Sequence, residues 1–396
     1  MSHPTARLSD VCSFRHGGTP SKGNAAFWGG DIPWISPKDM KAPVLVSSQD
    51  TITRAGVSGS ATSVVPEGSI LVVARSGILA HTFPVARAGR SLAFNQDIKA
   101  IQISSEKVLS DFVYWFLRGR EREVLAQGVK KGATVHSLQS GYLEKLEIPL
   151  LPLGEQRRLI DLLSRAEKIV RMRREAEQKA KEIIPALFLD MFGDQATNPK
   201  GWDVRQTGEV IRSAQYGTST KAAADGAGLP MIRMGNVDFA GRMTLNDIKF
   251  VVLPPGDRAK YKLVSGDILF NRTNSKDLVG KTGIWRDDRE AVAASYFIRV
   301  RVDESLIAPE YLWAFMNSRH MKAVLFGTAR GAIGQSNINA EELRGLTVPI
   351  PPVELQRRFS LNVVQALGLE NQQSLATMQS DQAFQSLLAR VFGEGG

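Results

Sequence analysis

The chain carries one long passage twice, and that repeat constrains its fold more than any other feature. The first copy opens with Ile148-Pro149-Leu150-Leu151-Pro152-Leu153, runs on almost without glycine and closes at Phe192-Gly193-Asp194. The second opens with Val348-Pro349-Ile350-Pro351-Pro352-Val353 and closes at Phe392-Gly393-Glu394. Inside them, Gln156-Arg157-Arg158-Leu159 recurs as Gln356-Arg357-Arg358-Phe359 at the same offset. A repeat of this length implies duplication of a whole module.

The first copy reads as one helix from about Leu153 to Met191. Leu159, Leu162, Ala166, Ile169, Arg173, Ala176, Ala180, Ile183 and Leu187 follow alternating steps of three and four, a coiled-coil seam with one arginine intruding. Pro185 predicts a kink or the end of the straight part. About 38 residues at ~1.5 Å each give a rod of roughly 57 Å, which cannot bury its seam alone. The second copy, Val353 to Val391, supplies a partner through Phe359, Val363, Leu367, Leu375, Met378 and Leu387. That seam is looser, rich in Gln and interrupted by Gly368. Paired antiparallel, the two helices would hold a globular domain at each end.

The segments between the helices repeat as well. Asp31-Ile32-Pro33-Trp34-Ile35 matches Gly228-Leu229-Pro230-Met231-Ile232, and Gly68-Ser69-Ile70-Leu71 matches Gly266-Asp267-Ile268-Leu269. Asp111-Phe112-Val113-Tyr114-Trp115-Phe116 matches Glu310-Tyr311-Leu312-Trp313-Ala314-Phe315, and Gly132-Ala133 matches Gly331-Ala332. Glycine and proline punctuate short β-like runs, including Ile32–Ile35, Ser69–Ala74 and Ile98–Ile103. One helix stands out at Asp111–Leu117, with Ser110 as its N-cap. The reading is α+β: homologous mixed domains at 1–147 and 195–347, and spacer helices at 148–194 and 348–396. Scaffold positions agree while loops diverge, which suggests one job done twice on two different ligands.

Composition narrows the job. The formal charge is +10 over 396 residues and the pI is near 9.7, which favours a polyanionic partner. The single cysteine, Cys12, excludes an intrachain disulfide framework and reads as a small buried hydrophobe. No apolar run approaches the ~20 residues of a membrane span and no signal pattern opens the chain, so a cytoplasmic location is expected.

No catalytic constellation emerges. Gly217-Thr218-Ser219-Thr220-Lys221 lacks phosphate-loop spacing. There is no Asn/Asp-Pro-Pro-aromatic tetrapeptide. Asp97-Ile98-Lys99 has the ending of a nuclease motif without its upstream Pro-Asp, and reads as a strand with one solvent-facing lysine. The five histidines lack metal-ligand spacing.

Nucleic-acid recognition fits better. Base edges are read by Arg, Lys, Asn, Gln, Ser and Thr, and phosphates by cations, hydroxyls and free amides. In the first domain these types cluster as Thr19, Ser21 and Lys22; Ser36 and Lys38; Arg75 and Ser76; Asn95 and Gln96; Lys130, Lys131, Thr134 and His136. In the second they are Tyr216, Thr218 and Lys221; Arg233 and Asn236; Asn271, Arg272, Asn274 and Lys276; Arg330, Gln335 and Asn337. Each alone is an ordinary solvated loop residue. Their recurrence at corresponding places in both repeats carries the case. Arg75 lies one position further from Gly68 than Arg272 does from Gly266, which leaves their geometric equivalence open.

Together these features resemble the specificity subunits of type I restriction-modification systems, over essentially the whole chain. The resemblance rests on Gly17-Gly18-Thr19-Pro20 through Trp28-Gly29-Gly30-Asp31-Ile32-Pro33-Trp34-Ile35-Ser36-Pro37-Lys38-Asp39, and on Gly68-Ser69-Ile70-Leu71. It rests also on Gln215-Tyr216-Gly217, Ile232-Arg233-Met234-Gly235-Asn236, Gly266-Asp267-Ile268-Leu269 and the two Gln-Arg-Arg helix starts. It implies two target-recognition domains, each reading one half of a bipartite double-stranded DNA site in the major groove, with the helices setting the gap. It also implies a chain that catalyses nothing and binds no cofactor. Two methylation subunits would bring S-adenosylmethionine, and motor-nuclease subunits would use ATP and magnesium. Gln156, Arg157, Arg158, Gln356, Arg357 and Arg358 would serve docking or phosphate contacts, or merely solvate the helix starts. The rival readings are an adaptor whose basic face binds RNA or a protein, and a degenerate restriction endonuclease.

Overall fold

The computed structural model describes residues 3–223, 226–274, 280–328 and 336–393. The chain divides into two compact units, and the division cuts both long helices: residues 1–174 with 376–396 form one, residues 175–375 the other. Each unit therefore holds one globular α+β domain and a stretch of each helix.

In the first unit the punctuated apolar runs become strands. Cys12–His16, Ile98–Ile103, Ile70–Val73, Val85–Ala88 and Val44–Leu45 form a sheet in that order, antiparallel except for its last pair. A second sheet runs Asp50–Ile52, Trp28–Ile35, Leu92–Phe94 and Ser63–Val65, with Trp34 opposite Ala93 in a parallel pairing. Gly17 leaves the first sheet against the end of that pairing. A Cβ there would stand 2.3 Å from the carbonyl oxygens of Phe94 and Asn95, so only glycine fits. The helix Ser110–Gly119 buries Phe112 through Leu117. Leu109, not Ser110, takes its N-cap position, and Ser110 Oγ instead donates to Gly68 O at 2.7 Å.

The second unit repeats this plan. Ile211–Tyr216, Phe297–Val302, Ile268–Asn271 and Thr282–Ile284 form the antiparallel sheet. Leu229–Ile232 pairs parallel with Val292–Ala293, and Met231 opposite Val292 holds the place of Trp34 opposite Ala93. Gly217 repeats the constraint on Gly17, with the carbonyl oxygens of Ala293 and Ala294 at 2.3 Å. Pro309–Met316 is the corresponding helix.

The two long helices, Leu153–Phe192 and Val353–Phe392, are 40 residues each, or about 60 Å at 1.5 Å per residue. Neither Pro185 nor Gly368 ends its helix. They pair antiparallel. In the first unit Leu163 and Val170 share a core with Phe384, Leu388 and Phe392, and Arg174 meets Asp381 at 2.8 Å. In the second, Phe188 and Phe192 pack on Phe359 with centroids 5.5 and 5.3 Å away. The closing phenylalanines also anchor the domains. Phe392 packs against Phe112 and Phe116 at 5.5 and 5.9 Å, and Phe192 against Tyr311 at 4.7 Å.

The seam differs from its expected line. Leu162, Ile169, Leu375 and Met378 are exposed. Ala180, Phe359 and Val363 are buried as expected, but burial also falls on Leu163, Val170 and Ile184 of the first helix and, at steps of seven from Val363, on Glu370, Thr377 and Phe384 of the second. Each helix packs both on the other helix and on a domain. Its apolar stripe is therefore wider than a two-helix seam, and sequence periodicity does not mark which line faces which partner.

Candidate nucleic-acid interface

In the first unit a small sheet gathers candidates that lie far apart in sequence. The strand His136–Leu138 pairs with Val129–Lys130 on one side and with Arg75–Ser76 on the other, in the register His136 opposite Ser76 and Ser137 opposite Arg75. The loop Asn95–Asp97 joins it, because the backbone amides of Ala74 and Arg75 both donate to Asp97 O, at 2.8 and 3.1 Å. Thr19 reaches the same loop through its hydroxyl, which donates to Gln96 Oε1 at 2.6 Å. Lys130, Lys131 and Thr134 are exposed beside it, and an open depression of about 540 Å³ is lined by Arg122, Lys131 and His136 over an apolar floor. His136 Nδ1 is buried and makes no hydrogen bond among the described residues. Arg75 is exposed, with Asp97 at 3.9 Å. The result is a cationic edge rich in donors.

The second unit builds the equivalent edge from different residues. Thr273–Asn274 pairs with Ser336–Asn337, and Thr273 Oγ1 donates to Asn337 Oδ1 at 2.9 Å. The Arg272 guanidinium lies over the Tyr216 ring, 4.7 Å from its centroid. Lys276, Arg330 and Gln335 lie outside the described residues, as does the side chain of Asn274.

Strand register settles the relation of the two arginines. Ala74 O accepts from Leu138 N at 2.8 Å, and Arg272 O accepts from Ile338 N at 2.9 Å. Arg272 thus matches Ala74, and Arg75 opposite Ser137 matches Thr273 opposite Asn337. The one-residue offset from the glycines is a real difference in geometry. Ser137 and Thr273 join the edge beyond the residues expected from sequence; Thr273 stands seven positions after Gly266, as Arg75 does after Gly68.

Several expected readers have structural duties instead. Asn95 is 6% exposed, accepting from Asp97 N at 3.0 Å and donating to Asp97 Oδ2 at 3.3 Å. Buried Thr218 donates from Oγ1 to Thr220 Oγ1 at 2.9 Å. Asn236 accepts from Arg233 N and donates to the carbonyls of Thr244 and Asn246, closing a turn. Asn271 is wholly buried inside its strand. Arg233 is tied to Asp247 at 3.1 Å, and the Ser36 hydroxyl to Asp39 at 2.7 Å. Asn, Ser and Thr close turns with the same groups that read bases, so residue type alone does not separate the two uses. Ser21, Lys22, Lys38, Gln96 and Lys221 remain exposed on loops, and Ser76 caps a short 3-10 turn.

At the helix starts, Gln156 and Gln356 are wholly buried and therefore withdrawn from any docking surface, whereas Arg157, Arg158, Arg357 and Arg358 are exposed. Lys99, expected to face solvent, is half-buried and pairs with Glu144 at 2.7 Å. Among the described residues no cluster of three His, Cys, Asp or Glu could hold a metal, and no helix is long and apolar enough to cross a membrane.

Two copies of one α+β domain, each built onto parts of an antiparallel helix pair and each bearing a polar edge of its own composition, define a duplicated two-domain module. The family model of the type I restriction modification DNA specificity domain matches residues 4–182 and 199–360, and the chain belongs to that family. It is 37% identical over 163 residues to the EcoR124I/EcoR124II specificity subunit of Escherichia coli, covering 41% of this chain and 40% of that one. It is 24% identical over 305 residues to the EcoKI specificity subunit of Escherichia coli K12, covering 72% and 65%. The matches span less than two thirds of these relatives' own lengths. The fold recurs in the type I restriction-modification S subunit from M. genitalium, with TM-score 0.61, 12% identity and coverage of 100% and 97%. It recurs also in a chain from a type I system solved for its complex assembly and conformational transition, with TM-score 0.60, 19% identity and coverage of 99% and 98%.

Proposed function

We propose that this chain is the non-catalytic, sequence-reading subunit of a type I restriction-modification complex. Each domain takes one half of a bipartite duplex site, presenting its polar edge to the major groove. The observation that carries this is the pair of corresponding edges, Arg75–Ser76 with His136–Leu138 and Thr273–Asn274 with Ser336–Asn337. They share backbone register and differ in side chains, as two readers of different half-sites should. Such an edge can offer forked donors and hydroxyls to base edges while loop lysines hold phosphates. The helices set the gap and dock two methylation subunits, using exposed positions such as Arg157, Arg158, Arg357 and Arg358. S-adenosylmethionine would enter on those partners, and ATP with magnesium on motor-nuclease subunits.

The test is co-expression with cognate methylation subunits in a methylation-free host, followed by genome-wide mapping of modified adenines. A single split motif that vanishes when this chain is omitted supports the reading. A complex that forms and binds S-adenosylmethionine yet yields no motif would overturn it.

A further inference from the structure

Arg272 of the second domain is held by an aromatic ring rather than by a carboxylate. Arg233, Arg242, Arg258 and Arg301 each face a carboxylate. Arg272 has none among the described residues, and its guanidinium lies on the Tyr216 ring, 4.7 Å from the centroid. The ring is itself fixed. Tyr216 ends the strand Ile211–Tyr216, opposite Ile298, and its hydroxyl accepts from Ala340 N at 3.1 Å. The backbone of Arg272 is pinned on both sides: its N–H donates to Tyr296 O and its carbonyl accepts from Ile338 N, each at 2.9 Å. The ring covers one face of the guanidinium; Nε is buried without a partner among the described residues, so the terminal N–H groups are the ones left to bind, in the plane the ring sets. Thr273 and Asn337, joined across the adjacent strands, put further polar groups beside it.

A phosphate needs only a cation, but a planar fork held at fixed tilt matches the paired O6 and N7 acceptors of guanine. The first domain lacks both parts. By strand register its counterpart of Arg272 is Ala74, and its counterpart of Tyr216 is His16, opposite Lys99.

We propose that Arg272 reads a guanine in the half-site taken by the second domain, and that Tyr216 is its positioning residue. The inference rests on the DNA-reading role above. It adds that the two half-sites are read by different devices, because the first domain has no arginine on an aromatic shelf at this place.

The full-length chain is selected against a randomised duplex library, and the bound DNA is sequenced for wild type, Arg272→Lys, Tyr216→Leu and Tyr216→Phe. The wild type should enrich a split sequence with a guanine in one half. Arg272→Lys keeps the charge and loses the fork, so enrichment at that guanine should fall roughly tenfold or more while the other half-site is unchanged. Tyr216→Leu should produce the same loss at the same position. Tyr216→Phe, which keeps the ring, should retain the preference. Retained enrichment at the remaining positions of the second half-site shows that the second domain of the variants folds. Weakening spread evenly over all sequences would make Arg272 a phosphate contact and overturn the proposal. Guanine preference surviving in Tyr216→Leu would overturn the role of Tyr216. A wild type that selects no sequence would overturn the DNA reading itself, whereas a split sequence that Arg272→Lys leaves untouched overturns this inference alone.

Discussion

Gln156 and Gln356 make the same three hydrogen bonds in two places. Gln156 accepts from Leu109 N at 2.9 Å and donates to the carbonyls of Lys107 and Leu151, both at 2.8 Å. Gln356 accepts from Ala308 N at 2.8 Å and donates to Leu306 O at 3.3 Å and Pro351 O at 2.8 Å. Leu109 and Ala308 are the N-cap residues of the two domain helices. Each glutamine thus bolts the start of a long helix to the start of a domain helix, and supplies partners to backbone groups at the helix starts.

Replacing either glutamine with alanine leaves one N–H and two carbonyls without these partners, part-buried around Gln156 and more deeply buried around Gln356, at ~1–3 kcal/mol for each group that water does not rescue. Gln156→Ala and Gln356→Ala should each cost about 3 kcal/mol or more, read by denaturant melts. Hydrogen exchange should locate the loosening in residues 1–174 for the first and 175–375 for the second. A loss below ~1 kcal/mol would mean that water replaces the clamp.

These two residues also show what the sequence could and could not reveal. The Gln-Arg-Arg repeat was plain, but glutamine and arginine looked like one polar surface until burial separated them. Strands bounded by glycine and proline were legible because local chemistry dictates them, as Gly17 and Gly217 do by admitting only a hydrogen. Leu162, Ile169, Leu375 and Met378 lie outside the buried seam despite their spacing, because helix periodicity reports the apolar stripe without its partners. Asn95 and Asn236 close turns, and sequence does not distinguish a turn amide from a base-reading amide because the two are chemically the same. What joins Arg75 to Ser137, or Arg272 to Tyr216, is strand pairing across long sequence distances, which composition does not encode.

Arg242 and Glu370 form a bidentate pair, Nε to Oε2 at 2.7 Å and one terminal nitrogen to Oε1 at 2.6 Å, with the guanidinium over Trp313 at 5.2 Å. Both side chains are largely buried, so removing one strands the other. Glu370→Ala should destabilise by about 3–5 kcal/mol, while a double Arg242→Met, Glu370→Leu variant should recover most of that. Equal losses in single and double variants would show that the pair itself, not the stranded charge, carries the energy.

Lys322 makes stability depend on pH. Its Nζ donates to Gly280 O at 2.8 Å and lies 5.0 Å from the Phe239 ring centroid. Burial, aided by the like charge of Lys281 and opposed by Asp238, pushes it down to about 8 from 10.5. Below pH 8 the folded state bears the full cost of the buried charge. Between pH 8 and 10.5 the unfolded chain binds more protons, so this group's contribution to stability rises with pH. Cys12 acts oppositely: burial pushes its thiol from 9.0 up to about 12, so its contribution falls above pH 9. Comparing Lys322→Met with wild type isolates the lysine. The variant should be the more stable at pH 7, and its advantage should shrink by pH 10. A constant difference in urea melts would rule out this titration.

The helices offer the last test, because a ruler must change its reading when its length changes. Buried positions recur every seven residues through Val363, Glu370, Thr377 and Phe384, so one heptad can be added without turning the seam away from its partner. The addition has to be matched, since an antiparallel pair slips out of register if only one helix grows. Seven residues placed between Arg174 and Glu175, and seven between Leu375 and Ala376, lengthen both helices where the two units divide. Each gains about 10.5 Å, close to three base pairs of rise. Methylation mapping should then return the same two half-sites with the unread gap widened by about three base pairs. An unchanged gap with both half-sites intact would show that spacing is set by the partner subunits or by the DNA, and the helices would be scaffold only.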